Sequence, residues 1–244
     1  MKIGTGMGSG LCIAALLGCA SNKPVAKVDD SGLSRLNEQQ MRPVDDARIE
    51  EGRARDSVAK AKATEQESHA RLEVARSERE VAGAQLKRAA AERDLLKGQY
   101  ADRDSIGRAD RDIAAAKSNI QATDLKLSYL QKMISVAETE RKLAEAHVDT
   151  VAANTEVAKL KAMRAADAPQ AASVNEGALD ARLAEAQAKE TQFKSAAAQV
   201  RSAAVDDYNK WQELDAQNRA TGQSANGAVP QAEPMQPQQS EPTK

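Results

Sequence analysis

The 244 residues carry 35 Lys and Arg against 36 Asp and Glu, so the net charge is −1. This even balance excludes the concentrated basic face by which proteins bind nucleic acid. Hydrophobic residues make up 41% of the chain, but about a fifth of it is alanine and only 2% is aromatic. Because alanine buries little area, the composition argues against a compact globule and is typical of long helices and coiled coils.

The first residues have the layout of an export signal. Lys2 provides a short positive region, and residues 11–17 (LCIAALL) provide an apolar stretch. This stretch is far shorter than the ~20 apolar residues that cross a bilayer as a helix. The sequence therefore predicts a signal peptide and not a membrane-spanning segment.

The residues Leu16-Leu17-Gly18-Cys19 resemble the lipobox of bacterial lipoproteins. The resemblance implies that residues 1–18 are cleaved off and that Cys19 is acylated on its thiol and on its new amino group. The residue after the cysteine is Ala20 and not the aspartate that commonly retains such proteins at the inner membrane. This implies sorting to the outer membrane of a Gram-negative host. The family's three acyl chains would anchor the protein stably, whereas a single chain binds membranes only marginally.

The chain has two cysteines, Cys12 and Cys19. Cys12 leaves with the predicted signal peptide, so the mature chain would form no disulfide even in an oxidising compartment. The remaining Cys19 is then best explained as the lipid attachment site.

Residues 19–45 contain two prolines and a glycine and show no sustained hydrophobic period. We predict that they form a flexible tether after the lipidated cysteine, with a helical turn or two around residues 34–41. Pro43 disfavours helix at the residue before it, and Asp45 or Asp46 is a suitable N-cap. The helical domain is therefore predicted to span residues 46–218.

Heptad repeats run through much of this domain. One register covers residues 58–103, with alanine at most positions of one of its two seams. A cleaner register begins at Ile106 and repeats every seven residues to Thr155, and its second seam again consists largely of alanine. Seven heptads of this kind strongly indicate a coiled coil.

The two registers are out of step by one residue near residues 98–107. A continuous helix could absorb this change as a local skip. Alternatively, the chain turns there, and the two segments of nearly equal length form an antiparallel hairpin. We favour the hairpin, although no proline forces the turn.

A second break, at residues 167–177, contains Pro169 and ends in a glycine. A third helix is predicted after it, over residues 178–218. Residues 219–244 are rich in Pro, Gln, Ser and Gly and are predicted to be disordered. The predicted fold is therefore all-α, a long antiparallel coiled-coil hairpin with a third packed helix and disordered termini.

Charged residues at seam positions need partners, because an unpaired buried charge is costly. In a hairpin that turns near residue 103, Arg141 lies opposite Glu65, which is also a seam residue. We predict that this pair sets the register of the hairpin, as a polar seam residue does in other coiled coils.

No pattern in the sequence indicates catalysis. His69 and His147 are isolated on charged helix faces, with no second histidine four residues away. We therefore predict no metal site, no cofactor, no small-molecule substrate and no enzymatic activity. The third helix carries most of the aromatic residues and provides a candidate interaction surface if it is under-packed: Phe193, Tyr208, Trp211 and Leu214.

These features predict a lipid-anchored structural or interaction protein, located at the outer membrane and facing the periplasm. It would space, scaffold or dock other envelope components, with a protein partner or as a homo-oligomer. In layout the chain resembles small alanine-rich, helical outer-membrane lipoproteins.

Two alternative functions remain open. The chain also resembles the major outer-membrane lipoprotein family, which implies that its C-terminal Lys244 is joined to peptidoglycan. It departs from that family in its length, its several helices and the residues before the lysine. The second alternative is an accessory role in an envelope transport complex, because the hairpins of periplasmic adaptors dock on outer-membrane channels. The β-rich domains that flank those hairpins are not evident in this sequence.

Overall fold

A computed structural model describes residues 27–220 of the chain. No strand occurs among these residues, and three long helices account for most of them: α1 (Glu38–Gly98), α2 (Arg103–Ala165) and α3 (Glu176–Ala220). Both the hairpin of α1 and α2 and the third packed helix are therefore confirmed. The predicted signal peptide, the lipobox and most of the C-terminal tail lie outside the described residues.

The central helix of the fold is α2, which packs against both α1 and α3. The outer helices make no extended contact with each other. The second, alanine-rich seam of the register that begins at Ile106 is largely buried, whereas its first seam is mostly half-buried. A second buried stripe consists of two runs with seven-residue spacing: Ala122, Tyr129 and Val136, then Ala146, Ala153 and Leu160. With 63 residues, α2 is ~95 Å long at a rise of 1.5 Å per residue. The fold is therefore a rod organised around one helix that is apolar on two faces.

The turn between α1 and α2 is a Schellman motif without a glycine. Tyr100 has a positive φ of 54°. The amide of Ala101 donates to the carbonyl of Leu96 at 3.0 Å, and that of Tyr100 donates to the carbonyl of Lys97 at 3.3 Å. These two bonds satisfy carbonyl groups that the end of the helix leaves without partners. The predicted break at residues 98–107 is thus a turn, but its glycines both lie within the helices.

The connection between α2 and α3 repeats this arrangement. Asp167 has a φ of 51°, and the amide of Ala168 donates to the carbonyl of Met163 at 2.9 Å. A short 3₁₀ helix, Pro169–Ser173, follows with the proline at its start. The side chain of Asn175 then caps α3 by accepting a hydrogen bond from the amide of Ala178. The predicted break at residues 167–177 is confirmed, and the third helix begins two residues earlier than predicted.

The start of α1 differs from the prediction. The helix begins at Glu38 and not at residue 46, and it contains Pro43. A capping box joins the side chains and amides of Asn37 and Gln40, which fixes the first turn of the helix. Val44 is fully buried in a cluster with the end of α2. The stabilisation from the capping box and from the burial of Val44 exceeds the cost of the backbone hydrogen bond that Pro43 removes.

The residues before α1 also pack against the rod. Val28 and Leu33 are buried in a cluster with Leu160, Met163 and Leu179. The amide of Val28 donates to Oε2 of Glu156 at 2.6 Å. The predicted flexible tether can therefore extend no farther than Val28. The later residues of the predicted tether, from Val28 onwards, are fixed in place near the connection between α2 and α3.

We expect Leu179→Ala to lower the free energy of unfolding by about 2–5 kcal/mol, because it removes a core side chain and leaves a cavity. Leu179 is 1% exposed in the cluster that holds the end of the rod together. Urea unfolding followed by circular dichroism at 222 nm would measure the change. Leu95→Ala is the matched control, since Leu95 is 59% exposed, and we expect a change within about 0.5 kcal/mol. Equal effects of the two substitutions would contradict this packing.

Candidate functional site

The predicted contact between Glu65 and Arg141 is present in the structure. Nε of Arg141 lies 2.7 Å from Oε2 of Glu65, and Nη1 of Arg141 lies 2.8 Å from Oε1 of Glu145. Both side chains of the Glu65–Arg141 pair are half-buried between the helices. Three further ion pairs join α1 to α2 with a compatible offset: Lys126–Glu78, Arg79–Asp124 and Arg93–Asp110. That the Glu65–Arg141 pair sets the register stays a prediction.

The same antiparallel register brings His69 close to two carboxylates. His69 follows Glu65 by one helical turn on α1, and Glu138 approaches from α2. Potential ligand atoms of these three residues all lie within 4.8 Å of one another. His69 is therefore not isolated, in contrast to the sequence-based expectation. The members of this group come from two helices, so no motif along the sequence indicates it.

The other histidine lies at the interface of α2 and α3. Nδ1 of His147 is 2.9 Å from Oε1 of Glu190, a seam residue of α3. In the adjacent pair, Nζ of Lys189 lies 3.1 Å from a carboxylate oxygen of Asp149. These pairs join the first third of α3 to α2, so His147 has a structural partner.

Three aromatic rings form a cluster at the interface of α2 and α3, packed against a buried core that also includes Leu72 of α1. Tyr129 of α2 lies 5.2 Å from Tyr208 and 5.9 Å from Trp211 of α3, measured between ring centroids. Burial, with a smaller contribution from Tyr208, raises the pKa of the Tyr129 phenol. Nζ of Lys126 lies 5.9 Å from the centroid of Trp211 and 2.5 Å from Oε2 of Glu78 on α1. This lysine therefore links all three helices.

The four residues of the candidate interaction surface are all half-buried: Phe193, Tyr208, Trp211 and Leu214. Tyr208 and Trp211 pack against the core cluster of Leu72 and Tyr129. Much of this aromatic surface therefore serves packing within the chain. That the surface also binds a partner stays a prediction.

Asp207 holds α3 on α2 through buried polar contacts. It accepts a hydrogen bond from the hydroxyl of Ser128 at 2.7 Å and lies 2.9 Å from Nζ of Lys132. The hydrogen bonds from Lys132 and Ser128 lower the pKa of Asp207 from 3.8 to about 2. Near one end of this interface, the hydroxyl of Ser118 lies 2.5 Å from Oδ1 of Asn218. Together these contacts fix the position of α3 along α2.

The outer surface of α1 carries a few exposed apolar side chains. Val74, Val81 and Leu95 are more than half exposed, and the turn residue Tyr100 is 96% exposed. The first three lie two or more helical turns apart, so they form no contiguous apolar patch. Within residues 27–220, no helix combines the length and the apolar character that crossing a membrane requires.

Comparison of the chain with protein-family models, with curated proteins and with solved structures gives no match.

Cysteine cross-linking would test the register of the hairpin. Ser68 and Ala137 are both buried, and Ala137 is one residue from the position opposite Ser68 if Glu65 lies opposite Arg141. We expect Ser68→Cys with Ala137→Cys to form a disulfide in a chain whose Cys12 and Cys19 are replaced by serine. Non-reducing electrophoresis and mass spectrometry of peptides would detect it.

The matched control places the second cysteine at Ala144, one heptad farther along α2. This position is ~10 Å from Ala137 along the helix, beyond the reach of a disulfide. If the Glu65–Arg141 pair sets the register, Arg141→Gln should lower the yield with Ala137→Cys and allow cross-linking at Ala144→Cys. An unchanged pattern would show that the other ion pairs suffice.

The pH dependence of stability would test the Asp207 contacts. Because folding lowers the pKa of Asp207 to about 2, its stabilising effect is present above about pH 4 and is lost as the pH falls toward 2. We expect Asp207→Asn to lower the melting temperature at about pH 6, and this difference should shrink between about pH 4 and pH 2. Asp206→Asn, at the exposed neighbouring position, should have a smaller effect at about pH 6. A difference that stays constant down to pH 2 would contradict the assignment.

Proposed function

We propose that this chain is a lipid-anchored spacer of the bacterial cell envelope, attached to the outer membrane through Cys19 and extending into the periplasm. The lipobox supports the anchor, and the fold supports the spacing role. Cys19 lies eight residues before Lys27, so the anchor reaches at most ~28 Å from the described part of the chain.

One observation supports the spacing role: the segment before α1 and the end of α3 contact α2 at positions that are far apart along its length. Val28 is bound at Glu156, and Asn218 is bound at Ser118. These two positions are separated by 38 residues of α2, which corresponds to ~57 Å. A membrane anchor before Val28 and a tail after Asn218 would therefore be held far apart by a continuous helix.

The packing also suits a protein that acts as a spacer on its own. Both buried stripes of α2 are covered by helices of the same chain. A second copy is therefore not needed to complete the core, unlike in a coiled coil made of single helices. The exposed faces carry interleaved charged side chains, which are favourably hydrated in an aqueous compartment.

We expect the full chain to incorporate a palmitate analogue and to fractionate with the outer membrane when it is produced in a Gram-negative host. Cys19→Ser should abolish both the label and the membrane association, because it removes the acylated thiol. Cys12→Ser is the matched control and should keep both. Labelling of Cys19→Ser, or an unlabelled wild-type chain, would refute the anchor.

The separation of the two ends also favours a second candidate, a covalent tether between membrane and cell wall. The segment after Asn218, which contains Lys244, begins at the opposite end of the rod from the predicted anchor. In the same cells, a tether would leave a muropeptide on Lys244 after digestion of peptidoglycan, and Lys244→Ala would remove it. A spacer without a wall attachment would be released by detergent alone.

A further inference from the structure

Glu65, His69 and Glu138 form a group of potential metal ligands in the middle part of the hairpin. Glu65 and His69 lie four residues apart and therefore on one face of α1. Glu138 completes the group from α2, and the three potential ligand atoms lie within 4.8 Å of one another. In the part of the chain that the structure describes, no other group brings three such donors together.

The donor set suits zinc better than calcium or magnesium. One imidazole nitrogen and two carboxylate oxygens are ligands that Zn²⁺ accepts, whereas Ca²⁺ and Mg²⁺ favour oxygen ligands alone. Bonds of about 2.0–2.2 Å in a tetrahedron place the ligand atoms roughly 3.3–3.5 Å apart. His69 is exposed, and the two glutamates are only partly buried, so rotations of the side chains can close the remaining distance.

The positive charge of Arg141 does not prevent a cation from binding to Glu65, His69 and Glu138. Its Nε binds Oε2 of Glu65 and leaves Oε1 available. Its Nη1 is paired with Glu145, so the charge of the guanidinium is shared between two carboxylates, those of Glu65 and Glu145. Carboxylate ligands of metals are commonly held by such outer hydrogen bonds, which fix their orientation.

We propose that Glu65, His69 and Glu138 bind one divalent transition-metal ion of the zinc class, which joins α1 to α2. Water from the exposed side completes the coordination. Because the ligands come from both helices, the ion binds the folded hairpin and not the unfolded chain, and it stabilises the hairpin increasingly as the free metal concentration rises above the Kd. The proposal is independent of the lipid anchor.

The sequence offers a site-specific test, because the chain contains only two histidines. In the full, untagged chain with Cys12→Ser and Cys19→Ser, the Cε1–H groups of His69 and His147 give two NMR signals, which His147→Ala assigns. We expect one equivalent of Zn²⁺ to shift the His69 signal and to leave that of His147 in place. Mg²⁺ at the same concentration should shift neither signal.

Substitutions at the proposed ligands should weaken binding measured by calorimetry. We expect His69→Ala and Glu138→Gln each to lower the affinity for Zn²⁺ at least tenfold. His147→Ala is the matched control and should bind like the parent chain, because His147 faces a single carboxylate, Glu190. Circular dichroism at 222 nm would verify that each variant keeps its helices.

Two results would overturn the proposal. One is a His69 signal that does not move in up to 100 µM Zn²⁺, which is decisive even if a substituted chain fails to fold. The other is an affinity that stays the same in His69→Ala and Glu138→Gln, which would assign the binding to other surface carboxylates.

Discussion

One requirement determines the fold: two apolar faces of α2 must both be covered by other helices. Residues on both stripes of α2 are buried along most of its length, which spans 63 residues. A single partner helix can cover only one such face, so α2 needs both α1 and α3. Alanine at many seam positions lets the backbones approach closely. Each layer buries little area, and the stability therefore comes from the number of layers.

We expect charged and polar side chains to provide what small apolar residues cannot, a fixed position of each outer helix along α2. An alanine-rich seam is nearly uniform, so a shift by one heptad changes its apolar packing little. The Glu65–Arg141 pair and the contacts of Asp207 lose their partners on such a shift. Lys126 acts on both sides, since it contacts Glu78 of α1 and Trp211 of α3.

The sequence indicated the helices, the hairpin and the Glu65–Arg141 contact, because heptad periodicity and charge complementarity are local patterns with direct structural meaning. The start of α1 was predicted wrongly, because the rule for Pro43 takes no account of the Asn37 cap or of the burial of Val44. The group around His69 depends on pairing between helices. Placing Glu65 opposite Arg141 also places His69 near residue 138. The predicted register therefore contained the information needed to find this group, whereas motifs along one helix do not contain it.

The opposite placement of the two chain ends has a mechanical consequence. Tension applied between the segment at Val28 and the end of α3 at Asn218 acts along the rod axis. The outer helices would then have to slide past α2 under shear, so that all contacts of an interface resist the force together. If both ends left the rod at the same tip, the helices would unzip one layer at a time at a lower force. An architecture that buries little area per layer is thus mechanically strong along the rod axis.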